Sequence, residues 1–212
     1  KLPKSKPKNL KIWVEKKINQ SLKKLKIKKL YGLLIHDVND LLNYPNKLLL
    51  ILNEFKKKKI ISKLGISVYE VREVNKVLKL WKPDIIQIPV NIFDQRFIKK
   101  KILNKLKKKN IEIHSRSCFL QGQLLEKELK VGNNNNKKLF KKFTSWCKKN
   151  KFSQLTACLH FIKKIKQIDY LIVGFENSIQ LEEIISSFNK KLIHIPNIFH
   201  INEKKIIDPR KW

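Results

Sequence analysis

The chain has 212 residues, 49 Lys plus Arg against 17 Asp plus Glu, a net charge of +32, and 42% apolar residues. That apolar share is enough for a core and excludes wholesale disorder, and the length fits one domain or two. No apolar run approaches the roughly 18 residues of a membrane span, and no signal peptide is expected because no apolar stretch follows the basic N-terminus. Three cysteines without a C-x-x-C pair argue against a disulfide scaffold and a structural zinc site, and for a reducing cytosol. There is no Met, not even at position 1, so the chain is expected to begin after its gene does. Only Arg72, Arg96, Arg116 and Arg210 are arginines; with Lys, Ile and Asn so abundant, an AT-rich coding sequence accounts for the bias.

Residues 8–26 read as a helix, with Leu10, Ile12, Trp13, Ile18, Leu22 and Leu25 at a rough helical period among lysines. Residues 31–36 are a short apolar run, a buried strand by length. Asn43-Tyr44-Pro45 breaks the chain, and residues 47–58 read as a helix with Pro45 near its start. A strand at 64–67 and a helix at 71–81 follow, the helix ended by Pro83. Next come a strand at 84–90, a helix at 98–109 and a strand at 111–117. The stretch 118–152 is less regular, with a loop at Gly132 and Asn133–Asn136 and a short helix after it. A helix at 155–166, a strand at 170–174 and a helix at 179–188 precede a tail, residues 189–212.

Strand and helix alternate through five strands, the pattern of a parallel sheet with crossover helices. An open doubly wound sheet and a (β/α)8 barrel both fit. Neither G-x-G-x-x-G after a strand nor G-x-x-x-x-G-K-[ST] occurs, so the two common phosphate loops of open sheets are missing. In a barrel the active site lies at the C-terminal strand ends. Those ends carry His36-Asp37, Ser67, Asn91, Arg116-Ser117 and Glu176-Asn177. The lysine clusters, such as Lys56–Lys59 and Lys163–Lys166, close helices, where cations oppose the negative end of the helix dipole. They read as a solvated surface on the opposite face, without interleaved aromatics, and no nucleic-acid partner is expected.

Five segments resemble the aldo-keto reductase family. Tyr31-Gly-Leu-Leu-Ile-His-Asp-Val-Asn-Asp40, Leu64-Gly-Ile-Ser-Val-Tyr69, Asp84-Ile-Ile-Gln-Ile-Pro-Val-Asn91 and Ile111–Gly122 resemble its fourth to seventh strands. Val173–Glu183 resembles the eighth strand and the cofactor helix after it, and Ile207-Asp-Pro-Arg-Lys-Trp212 resembles the end of members associated with surface-polysaccharide gene clusters. The fold implied is a (β/α)8 TIM barrel, here N-terminally truncated with about strands 4–8 complete. Residues 1–212 form one partial barrel domain lacking its first two βα units.

The resemblance implies a cytosolic NAD(P)H-dependent oxidoreductase that reduces a carbonyl, of a sugar derivative on the evidence of the tail, to an alcohol. The family's proton donor is a Tyr, whose free phenol, pKa about 10, is a poor acid until a Lys cation lowers it. Lys1, in Lys1-Leu2-Pro3, matches that Lys, and His36 matches the His that orients the substrate oxygen and stabilises its developing charge. The Asp and Tyr would precede residue 1, so the 212 residues alone are expected to be inactive. Ser67 and Gln87 match the positions that hold the nicotinamide carboxamide, for which Gln supplies both donor and acceptor. Val68 departs from the Asn that often follows the Ser. Arg116 stands where many members stack an aromatic on the nicotinamide; a planar guanidinium can also stack. Ser117 and Phe119 match the loop along the pyrophosphate, and Gly174, Asn177, Gln180 and Glu183 the adenosine end. Members specific for NADPH usually place basic residues there, and Gly174–Glu183 has none, which leaves NADH open beside NADPH. No metal is expected. Two alternatives stand beside this reading: a family member that binds cofactor without catalysis, and a basic anion- or nucleic-acid-binding protein. A Schiff-base aldolase fits less well, because Lys63, the only Lys inside these strands, falls at the start of its strand.

Overall fold

The computed structural model describes residues 7–212. Five strands, β1 (Leu30–Ile35), β2 (Ile61–Ser67), β3 (Ile85–Pro89), β4 (Glu112–Arg116) and β5 (Tyr170–Leu171), form one sheet in chain order. The pairings of β1 with β2, β2 with β3 and β4 with β5 are parallel, setting Leu30 opposite Ile61, Gly65 opposite Ile85 and His114 opposite Tyr170. The chain folds as two compact units. One comprises the residues up to Gln87 with Lys108–Glu112, the other Ile88–Lys107 with Ile113–Trp212. Among the described residues no helix is long and apolar enough to cross a membrane.

In the first unit, helix α1 (Leu10–Leu25) starts where Asn9 Oδ1 accepts the Ile12 N–H at 3.2 Å. It buries Leu10, Val14 and Ile18, one stripe at four-residue spacing, and carries Lys23 and Lys24 in its last turn. A short helix not expected from sequence, α2 (Val38–Asn43), follows β1, begun by Asp37 Oδ1 accepting the Asn39 N–H at 2.8 Å. Pro45 opens α3 (Pro45–Lys57), whose Leu48, Ile51, Leu52 and Phe55 are buried. Helix α4 (Val71–Leu80) begins with Glu73 Oε2 accepting the N–H groups of Tyr69 and Glu70 at 2.6 and 3.0 Å. On β2 and β3, Leu64, Ile66, Ile85 and Ile86 are at most 1% exposed, as strands covered on both faces require.

The second unit departs more from the sequence reading. The expected helix 98–109 is two pieces, α5 (Arg96–Lys99) and α6 (Ile102–Lys107). Lys101 turns left-handed, φ 54°, with its N–H on Ile98 O, and this stops the first helix while Ile102, Leu103 and Leu106 of the second enter the core. The Asn run is the start of a helix rather than a loop before one: Asn133 Oδ1 accepts the Asn136 N–H at 3.0 Å, and α7 (Asn134–Lys149) runs for 16 residues. Asn is weak inside a helix but strong as its cap. Helix α8 (Gln154–Lys163) is almost wholly buried from Thr156 to Ile162. The expected strand 170–174 shortens to Tyr170–Leu171, because its pairing with β4 stops at Ser115–Leu171. After α9 (Ser178–Asn189) the tail is packed: Ile195, Phe199, Ile201 and Ile207 are buried, and α10 (Lys204–Ile207) runs into a single 3-10 turn, Pro209–Lys211.

Candidate functional site

In the first unit the strand ends carry His36, Ser67 and Gln87. Ser67, the last residue of β2, is buried, and its Oγ donates to Oε1 of the half-buried Gln87 at 3.3 Å. The next backbone link, Val68 N to Gln87 O at 2.9 Å, fixes this register. The pair offers a hydroxyl, an amide N–H2 and an amide oxygen, a donor set that matches a ligand carboxamide. Val68 itself is fully buried, so the position where the family often has Asn is part of the core. His36 directly follows β1 and is exposed. It lines a pocket of about 410 Å³ together with Trp13, Lys17, Leu34, Ile35 and Asp40.

Lys63 is the third residue of β2 and pairs with Glu112, while its Nζ donates to the Tyr31 hydroxyl at 2.7 Å. Tyr31 in turn donates to Glu112 Oε2 at 2.7 Å. The bonds to Glu112 and then Tyr31 hold the ammonium pKa above its ordinary value. A Schiff-base nucleophile needs the opposite, a depressed lysine, so the aldolase chemistry finds no support at this residue.

In the second unit Arg116 ends β4, and its Nη1 donates to Ser117 Oγ at 3.1 Å. Ser117 is left-handed, φ 60°, and its carbonyl accepts from Asn91 Nδ2 at 3.0 Å. Asn91, fully buried after β3, also accepts the N–H groups of Phe93 and Asp94 on its Oδ1 at 2.9 and 2.8 Å. Phe119 is half-buried in the following turn, its carbonyl accepting from Leu124 N at 3.1 Å. Gly174 is exposed, and a Cβ there would meet nothing within 4 Å. At the start of α9, Asn177 Oδ1 accepts the Gln180 N–H at 2.9 Å and Gln180 Oε1 accepts the Glu176 N–H at 2.8 Å. The side chains of Asn177 and Gln180 therefore build the turn, and Glu183 is exposed one turn further on. Lys1 lies outside the described residues. Among those residues no cluster of three or more His, Cys, Asp or Glu could hold a metal ion.

The family model described as the Aldo/keto reductase family matches residues 2–203. The chain belongs to the aldo/keto reductase family. Solved structures agree at the level of the fold. The holo form of aldo-keto reductase AKR11C1 from Bacillus halodurans is similar with a TM-score of 0.69 at 14% identity, over 87% of this chain and 64% of that one. The glycerol dehydrogenase AKR11B4 from Gluconobacter oxydans gives 0.59 at 15%, over 88% and 66%. A thermostable aldo-keto reductase in complex with the inhibitor epalrestat gives 0.61 at 14%, over 85% and 62%. The chain thus spans a little under two thirds of the length of these relatives and carries five parallel-sheet strands of the family's (β/α)8 fold. A search of curated protein sequences found no match.

Two ion pairs on buried carboxylates went unremarked in the sequence. Asp94 and Asp208 have side chains 0% exposed, and each is gripped by the Arg two residues on, Arg96 and Arg210. The signal was there in the scarcity of arginine. In a chain whose cations are otherwise lysine, Arg stands where a carboxylate needs a planar fork, in Asp94-Gln-Arg96 and Asp208-Pro-Arg210.

Proposed function

We propose that this chain is the dinucleotide-binding part of a cytosolic carbonyl reductase that turns an aldehyde or ketone, of a sugar-derived substrate, into an alcohol. The observation that carries the reading is the family match across residues 2–203. The donor set of Ser67 and Gln87 and the open space at Gly174 fit a nicotinamide dinucleotide. In this reading Ser67 and Gln87 hold the carboxamide. The Arg116 guanidinium lies against the nicotinamide ring and Ser117 and Phe119 border the pyrophosphate, while Gly174, Asn177, Gln180 and Glu183 take the adenosine. What the bound cofactor supplies is a hydride for the carbonyl carbon. His36 donates a hydrogen bond to the carbonyl oxygen, orienting it and stabilising its developing negative charge. Lys1 lowers the pKa of the phenol that delivers the proton, and that phenol is not among these 212 residues. The absence of Lys or Arg from Gly174–Glu183, with Glu182 and Glu183 exposed, favours NADH over NADPH, whose 2′-phosphate would meet carboxylates.

The test is a titration of the chain with NADH and NADPH, followed by cofactor fluorescence, beside an assay with aldehyde and aldose substrates. Saturable binding, tighter for NADH, without turnover is expected. No binding of either dinucleotide would remove the reading, and turnover by the 212 residues alone would remove the assignment of the proton donor to a residue outside them. A full-length gene product that binds but lacks turnover would favour the non-catalytic family member.

A further inference from the structure

We propose that Asn91 is a positioning residue for the cofactor: its carboxamide ties the turn after β3 to Ser117 and so sets the conformation in which the loop 116–122 leaves β4. The last step, from that loop to the dinucleotide, rests on the proposed function.

Among the polar residues at the strand ends, Asn91 has no part in that function. It is fully buried, where an amide costs free energy unless its oxygen and its nitrogen both find partners. Both do. Oδ1 accepts the Phe93 and Asp94 N–H groups at 2.9 and 2.8 Å, and the Asn91 N–H donates to Asp94 O at 3.2 Å. These three bonds fix the turn 91–94 and, with it, the plane of the amide. Nδ2 is thereby aimed at the end of β4, where it donates to Ser117 O at 3.0 Å. Asn is suited to this place because it carries an acceptor and a donor on one short, planar, uncharged group, whereas an ionised Asp has acceptors alone.

The backbone brings the two residues together: Val90 N donates to Arg116 O at 3.1 Å, and Asn91 and Ser117 are the next residue along on each side. Ser117 O also accepts the Leu120 N–H at 3.0 Å, so one carbonyl takes a bond from inside the loop and one from outside it. The loop needs that outside hold. Ser117, Leu120 and Gln121 have φ of 60°, 48° and 55°. Left-handed backbone is uncommon for residues with a side chain and persists where the surroundings dictate it. Further along, Leu120 is buried and the Cys118 thiol donates to Cys158 O at 3.4 Å; at Ser117 the bond from another strand end is that of Asn91. The backbone angles of Ser117 also decide where its Oγ points, and Oγ accepts from Arg116 Nη1 at 3.1 Å. Asn91 therefore acts on the guanidinium assigned to the nicotinamide ring and on the loop assigned to the pyrophosphate through Ser117, one residue removed from the cofactor.

The experiment measures NADH affinity and amide hydrogen exchange in the full chain, in Asn91→Asp, in Ser117→Gly and in the double variant. Asn91→Asp keeps acceptors for the Phe93 and Asp94 N–H groups and loses the donor to Ser117 O. Exchange at Leu120 is expected to speed up about tenfold while residues 157–162 of α8 exchange as before. NADH binding is expected to weaken about tenfold. Glycine adopts the left-handed conformation without strain. In the Ser117→Gly background the same change at Asn91 should therefore weaken NADH binding by no more than about twofold; the contribution of the serine hydroxyl is missing from both members of that comparison and cancels. A tenfold loss in both backgrounds would overturn the proposal, because Asn91 would then act otherwise than through the Ser117 backbone. Unchanged exchange at Leu120 would overturn it too, as would an equal rise in α8, which marks a general stabilising role. Should Asn91→Asp not fold, Asn91→Ser, which keeps an uncharged acceptor and loses the reach to Ser117 O, is measured in the same two backgrounds. If the unaltered chain binds no dinucleotide, the proposed function fails, and exchange at Leu120 in the two backgrounds alone decides the role of Asn91.

Discussion

Ser67 and Gln87 are register partners on adjacent parallel strands, and the Ser67 hydroxyl donates to the Gln87 amide oxygen at 3.3 Å. That is long for a hydroxyl donor, whose bonds centre near 2.7–2.8 Å. A ligand amide can therefore replace it at little cost. Ser67→Ala is expected to weaken NADH binding about fivefold and Gln87→Leu about tenfold, each the loss of one or two hydrogen bonds. ADP affinity should not move. Fluorescence titration checks both, and unaltered NADH affinity in the two variants would take the pair out of the cofactor site.

Gly65 and Gly174 make a controlled contrast. A Cβ on Gly65 would stand 2.7 Å from Ile85 O and 2.8 Å from Ile85 Cβ, on a neighbouring strand that cannot retreat without breaking its own ladder. Gly65→Ala is expected to cost about 1–3 kcal/mol. Gly174→Ala, with open space around it, should stay within about 0.5 kcal/mol. Urea unfolding of the two variants measures the difference, and equal midpoints would contradict the packing described for β2 and β3.

His160 should make the protein acid-sensitive. It is fully buried in α8; its Nε2 donates to Ser187 O at 2.9 Å and its Nδ1 accepts from Ile193 N at 3.2 Å, so the ring is neutral with its proton on Nε2. Burial, and after it the nearby charges of Lys163 and Lys190, hold its pKa below the ordinary histidine value. In the unfolded chain the ring titrates near 6.5. As pH falls through that value toward the lower folded one, the unfolded state takes up the proton first, and stability drops. Melting temperatures between about pH 8 and pH 5 should fall on the acid side, and the slope should flatten in His160→Gln. Identical slopes in the two proteins would rule out this histidine as the source.

The three cysteines should be silent in the native state. Cys147 has its pKa pushed up to about 12 by burial, and burial likewise raises Cys118 and Cys158. The Cys118 thiol donates to Cys158 O at 3.4 Å. Because the thiolate is the reactive form, an aromatic disulfide reagent at about pH 8 should label none of them until the chain unfolds, and then all three. Rapid labelling of the folded protein would contradict their burial.

The order of strands and helices was legible because it is written locally. Short apolar runs such as 64–67 and 84–90, punctuated by Pro45 and Pro83, read as strands between helices, and β2, β3 and α4 lie within a few residues of those readings. The split at Lys101 was not legible, since a left-handed lysine has no sequence signal as glycine does. Nor was the length of α7, because an Asn run reads equally as a loop or as a cap. Of the candidate site residues, Ser67 and Gln87 came from the family resemblance, and the register of β2 on β3 brings them within 3.3 Å. The turn-building bonds of Asn177 and Gln180 needed the fold of the α9 entrance.

The sequence by itself determined the alternating elements and the lysine-rich surface, which depend on residue types at short or fixed spacing, and it carried the resemblance to the family that the match over residues 2–203 established. Only the tertiary structure decided that segment 193–212 is packed, with Asp208 buried and the Ile201 N–H on the Phe93 carbonyl. Ile195, Phe199, Ile201 and Ile207 follow neither a helical nor a strand period, so nothing local marks them as buried. Their partners, the Phe93 carbonyl and the Phe143 ring, lie far away in sequence, and whether a carboxylate is buried among such partners depends on long-range packing that no local pattern encodes.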